Sequence, residues 1–320
     1  MKTICSLPVS QRVNTLLQEL LSSRPELEAD RAVLITEAYR KSGDLPIVLR
    51  RAKGFAHILR RLPIVVRPGE LIVGSNTVHS RSSQVFPEFS FAWILDELDT
   101  MEHRAADPFF VSEETKQALR KVLPEWKNKT TSELAASYMP PESLRAIAHN
   151  VFTPGNYYFN GICHVTVDYG KVLRLGFDGI LRELHAAQEA LQVSDGDFIH
   201  RRAFLQAAEI SCRAAIEYAQ RYAALARETA GRCADPVRRR ELLEIAEICE
   251  RVPANPASSF REAVQSFWFV QLMIQTESNG HSVSPGRFDQ YMYPYYRADI
   301  DAGKITPEDA QELLDCLWIK

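Results

Sequence analysis

From Phe260 to Gln275 the chain carries Val264, Phe267, Trp268, Phe269, Val270, Leu272, Met273 and Ile274, which places apolar side chains on nearly every face of a helix. A helix at a protein surface shows one apolar stripe, whereas one that is apolar all round needs neighbours on every side. Burying each of these large side chains is worth roughly 1.5–3 kcal/mol. The segment therefore predicts a central helix around which the other elements are layered. A chain of 320 residues has enough material to supply those layers.

Apolar residues three and four apart predict further helices at residues 12–22, 28–42, 46–61, 114–123, 141–149, 169–191, 198–229 and 236–252. Several starts carry chemical signals. Ser259 with Glu262 fits a capping box, Asp235 precedes Pro236, and Thr306 precedes Pro307 and two acids. Strand signals are few: residues 64–66 and 71–73, joined through Pro68 and Gly69, predict a short hairpin. With no repeat, low-complexity tract or Gly/Ser-rich linker, the reading is one unit, mainly α with a few short strands. A last stripe, Ala310, Leu313, Leu314, Leu317 and Trp318, predicts a helix close to Lys320. It either docks on the domain's own core or faces partners that lie elsewhere, and its pattern leaves both open.

Composition excludes several classes of function. A net charge of -3 without long single-sign runs argues against nucleic acid as a partner, and Arg238–Arg240 beside Glu241 and Glu244 reads as a solvated helix face. No segment offers the roughly 18 uninterrupted apolar residues of a membrane span, and polar residues from Gln11 to Asn14 interrupt any leader. A cytoplasmic protein with no membrane partner is expected. Its six cysteines are scattered singly, which predicts reduced thiols, no metal site and no bound cofactor.

Two polar, Gly-containing loops interrupt apolar surroundings: residues 154–164, ending in Cys163 and His164, and residues 277–287, which include His281 and Ser282. Imidazoles in such loops can exchange protons near neutral pH, while Ser and Asn orient hydroxyl groups. Neither loop holds a phosphate-binding, nucleophile-elbow or metal-ligand pattern. Cys163 and His164 are adjacent in the chain and so do not naturally face each other, which makes Cys163 a packed thiol rather than a nucleophile.

Three strings make the chain recognisable: RPGELIVGSNTVHSRSSQVFPEFS (67–90), FTPGNYYFNGICHVTVDYGKVLRLGF (152–177) and SNGHSVSPGRFDQYMYPYY (278–296). They resemble the pyruvate formate-lyase-like glycyl radical enzymes, most of all the cobalamin-independent glycerol and propanediol dehydratases. The resemblance implies a PFL domain over residues 7–320, truncated at its C-terminal end. The fold it implies is the N-terminal, incomplete portion of a ten-stranded α/β barrel wrapped in helices.

The implied chemistry passes a radical from a backbone glycine to a thiyl cysteine, which takes hydrogen from C1 of glycerol. Water then leaves C2 and 3-hydroxypropanal forms. The resemblance makes His164 the catalytic proton donor to the departing hydroxyl, and Asn156, His281 and Ser282 the substrate-binding positions. No Gly-Cys-Val-Glu or Arg-Val-x-Gly-Tyr string occurs here. The thiyl cysteine and glycyl radical are thus expected in a C-terminal half, with the radical installed by a radical SAM activase. The expected assembly is a homodimer when complete, acting on a small polyol. Formate acetyltransferase, choline lyase, hydroxyproline dehydratase and sulfonate lyase are alternatives within the superfamily. A noncatalytic remnant or helical binding protein is the alternative outside it.

Overall fold

The computed structural model describes residues 8–155, 159–161 and 164–320. Helices dominate it. The N-terminal part comprises α1 (Gln11–Ser22), β1 (Glu26–Glu28), α2 (Asp30–Arg40), α3 (Ile47–Arg61), β2 (Ser82–Gln84), α4 (Ala92–Glu97), α5 (Glu113–Val122), α6 (Thr131–Ser137) and α7 (Pro141–Ala148). There follow α8 (Tyr169–Glu189), α9 (Phe198–Arg232), α10 (Pro236–Arg251), α11 (Phe260–Ser278), α12 (Phe288–Asp301) and α13 (Pro307–Trp318).

The segment that opened the argument is α11, and it is buried along almost its whole length. Elements on every side supply its cover, among them α8, α9, α10, α12 and α13. Both ends are tied by polar groups. Ser259 accepts a hydrogen bond from the Glu262 amide, and buried Asp299 of α12 accepts one from the Phe260 amide at 2.7 Å. The reciprocal half of the expected capping box is absent, because the Glu262 carboxylate takes the Ser258 amide and hydroxyl and Arg251 instead.

The longest element, α9, has 35 residues and extends about 50 Å. Its buried face is rich in alanine (Ala207, Ala214, Ala215, Ala219, Ala223, Ala226), so α3, α8 and α10 approach closely along it. A second, smaller core gathers Ile35, Ile58, Leu98, Leu119, Leu123 and Trp126 around α2 and α5.

The hairpin expected at residues 64–73 is not formed. These residues pair with no strand, and at Val73 and Gly74 side chains of α11 take the place of a partner strand. Gln265 accepts from the Val73 amide at 2.9 Å and donates to its carbonyl at 2.8 Å, and Trp268 donates to the Gly74 carbonyl at 3.0 Å. Among the described residues the strands that do form are β1 and β2, a parallel pair joining residues 26–28 to 82–84.

The stripe on α13 takes the first of its two alternatives. Ala310, Leu313, Cys316 and Leu317 are buried against the chain's own core, leaving Trp318 64% exposed. Cys212, Cys249 and Cys316 are buried free thiols, and burial pushes the Cys212 and Cys316 thiols up to about 11. Among the described residues no helix is long and apolar enough to cross a membrane, and no three His, Cys, Asp or Glu side chains cluster as metal ligands.

Candidate active site

The two polar loops meet. His164 donates its amide hydrogen to the His281 carbonyl at 3.3 Å, Ser284 donates to the Val165 carbonyl at 3.0 Å, and Thr166 and Ser284 form a parallel bridge. Main-chain pairing thus lays one loop along the other. Across this pairing the imidazoles of His164 and His281 have ring centroids 5.5 Å apart and planes tilted by 33°. Ser282 follows directly. His164 and Ser282 are exposed and His281 is half-buried, so the pair sits on an open face rather than in an enclosed cavity. Asn156 lies outside the described residues.

The backbone is shaped for this meeting. After Ser278, Asn279 (φ 57°) ends α11 in the left-handed conformation, and Gly280 (φ 76°) continues the turn. Two residues that carry side chains, His164 (φ 50°) and Ser282 (φ 59°), also occupy the left-handed region. That conformation costs of order 1–3 kcal/mol per residue and persists only where surroundings enforce it.

Supporting contacts come from aromatic side chains below the loops. Tyr169, buried at the start of α8, donates to the Gln271 side-chain oxygen, and Gln271 donates to the Val283 carbonyl at 3.4 Å. Tyr291 of α12 donates to the Pro285 carbonyl at 2.6 Å. Burial pushes both phenols well above their usual range, so they stay protonated donors. A cleft of about 260 Å³ opens alongside, its lining including Asn160, Asn279, Ser90, Trp93 and Phe159.

Beneath the end of α11 lies a charged cluster, its Arg31–Glu88 pair buried, that the sequence did not reveal. The Arg31 side chain is 1% exposed and pairs with Glu88, while Arg51 pairs with Glu277. Both guanidinium groups also donate to carbonyls of the last helical turn. Arg31 stands in the first turn of α2, where an arginine looks like a solvent-facing residue, and nothing in its spacing marks it.

Residues 7–320 match the family described as pyruvate formate lyase-like. The chain belongs to that family. Among solved structures, one described for 1,2-propanediol dehydration in Roseburia inulinivorans is 52% identical with a TM-score of 0.95, covering 98% of this chain and 37% of the other. A glycerol-bound B12-independent glycerol dehydratase from Clostridium butyricum is 50% identical with a TM-score of 0.95, covering 99% and 40%. A probable dehydratase of Escherichia coli is 36% identical over 298 residues, 93% of this chain and 37% of that protein. The chain therefore spans some two fifths of the length of these pyruvate formate lyase-like relatives and corresponds to their N-terminal part. Its fold is the matching portion of the glycyl radical enzyme fold.

Proposed function

We propose that this chain is the N-terminal part of a glycyl radical dehydratase that removes water from glycerol or a 1,2-diol to give an aldehyde. The observation that carries the reading is the meeting of His164 with His281 and Ser282 on one face, in a chain half identical to enzymes described for glycerol and propanediol. In this reading His164 gives a proton to the hydroxyl that departs, and the His281 imidazole and Ser282 hydroxyl hold the substrate's other oxygen atoms. Asn156 completes the polyol contacts. A diol suits such neutral hydrogen-bonding groups, whereas a carboxylate substrate calls for arginine. The nearby Arg31 and Arg51 are already committed to Glu88, Glu277 and helix carbonyls.

The radical, when present, removes a substrate hydrogen atom, and it belongs to the C-terminal part of the complete enzyme. Val165, next to His164, and Phe159, on the cleft alongside, are each 42% exposed and fit a face that this other part covers. The whole would be a cytoplasmic homodimer served by a radical SAM activase.

The test is anaerobic expression of the complete protein with an activase, followed by product analysis with glycerol and with 1,2-propanediol. Aldehyde from either diol, lost in His164→Gln, supports the reading. A wild-type enzyme that carries the glycyl radical signal in electron paramagnetic resonance and yet leaves both diols intact overturns it.

A further inference from the structure

We infer that Arg31, clamped to Glu88, is the positioning residue that sets the spacing of the His164 and His281 imidazoles. The inference rests on the reading of these histidines as the diol-facing pair.

The fork of Arg31 serves two segments at once. Its Nε donates to the Thr276 carbonyl at 2.7 Å and its Nη2 to the Glu277 carbonyl at 3.1 Å, holding the last turn of α11. Its Nη1 reaches Glu88 Oε2 at 3.1 Å, the other Glu88 oxygen meets Nη2, and the guanidinium lies 3.7 Å over the Phe86 ring. The first contacts fix the root of the loop that carries His281. The others fix residues 86–88 relative to that root.

Residues 89 and 90, which follow directly in the chain, contact the other loop. Ser90 donates its hydroxyl to the Phe159 carbonyl at 2.8 Å. Gly161 packs so closely that a Cβ there would come within 2.6 Å of the Phe89 ring and 3.0 Å of the Ser278 carbonyl. One short segment therefore touches both loops, and Arg31 ties it to the end of α11 through the buried Glu88 pair, with Arg51 adding a looser link between the Phe89 ring and Glu277. A planar guanidinium presents several fixed donors in one plane, which an ammonium cannot reproduce. Outer groups of this kind hold reacting groups in register, and a displacement of 1 Å can cost roughly 100-fold in rate.

A merely structural arginine would lower stability without altering the arrangement of the folded protein. The two roles are separated in the 320-residue chain itself, labelled at histidine, by the nuclear Overhauser contact between the His164 and His281 rings. The wild type shows this contact. Arg31→Lys, folded by circular dichroism, loses it, whereas Leu119→Ala, a change in the second core, lowers the melting temperature and retains it. If Arg31→Lys does not fold, Glu88→Gln decides by the same readout. A folded variant at either position with the wild-type contact overturns the inference, as does a wild type that lacks the contact. Diol turnover by the complete enzyme is measured separately: its absence in the wild type removes the functional reading, while the ring contact still decides whether Arg31 positions the pair.

Discussion

A histidine held at φ 50° beside a second imidazole is placed by its backbone, and that placement separates the roles of the two rings. In the complete enzyme, His164→Gln should lower kcat for diol dehydration by roughly 10²–10⁴-fold, the usual worth of a positioned acid. Its KM should change little. His281→Ala, which removes a group that holds substrate in both ground and transition states, should raise KM more than it lowers kcat. Steady-state kinetics on the two variants checks both, and the opposite pattern would exchange the assignments. Gly176 poses a different residue-scale question. It breaks α8 with φ 63°, and a Cβ would lie 2.2 Å from the Ala254 carbonyl oxygen. Gly176→Ala should destabilise the chain by at least about 1–3 kcal/mol, the usual range for such backbone strain, read as a lower urea midpoint. The loops that carry His164, His281 and Ser282 stood out in the sequence because polar residues interrupt apolar runs, while the roles of these three side chains came from the family resemblance. Arg31 did not, since its burial depends on Glu88 and on carbonyls more than two hundred residues away.

At the scale of elements, the helices were legible wherever an apolar stripe coincided with a capping residue. Thr306 with Asp309, for instance, forms a full capping box at the start of α13. The failures have local causes. Residues 64–73 look like a hairpin because they are rich in Val, Ile and Leu, yet at Val73 and Gly74 the backbone is met by side chains of α11 rather than by a strand. The ladder from β1 to β2 joins segments more than fifty residues apart, a pairing that local alternation cannot reveal. Helix α12 was missed because Pro294 interrupts it and its tyrosines form no single stripe. Where α8 meets α9, hydrogen bonds from Arg213, Gln188 and His185 pull the Glu209 carboxyl from 4.5 down to about 2. Folding therefore favours its ionised form. This support is present in full above pH of about 4.5 and is lost as pH falls through about 2. Acid denaturation followed by circular dichroism should show wild type losing its advantage over Glu209→Gln across that window. A constant difference between the two would contradict this account.

For the whole molecule, the informative feature is that α13, whose stripe allowed a partner elsewhere, closes on α1 and α11 of the same chain. The chain corresponds to two fifths of its relatives, and still its most apolar elements are covered from within. Leu313 and Leu317 are 5% and 3% exposed, so lysine at these positions would bury an ammonium group with no prepared partner. Had the stripe faced outward, the same substitutions would have improved solubility. The structure predicts the reverse: Leu317→Ala should cost about 2–5 kcal/mol, the usual range for emptying a buried leucine site, and Leu317→Lys should abolish cooperative melting and promote aggregation. Trp318, exposed on the next position, provides the control. Its ring contact with Phe288 at 5.9 Å is worth at most about 1.5 kcal/mol, so Trp318→Lys should melt close to wild type. Calorimetry with size-exclusion chromatography on the three variants checks the docking of α13. A soluble, cooperatively melting Leu317→Lys would show that this face of the helix is not part of the core.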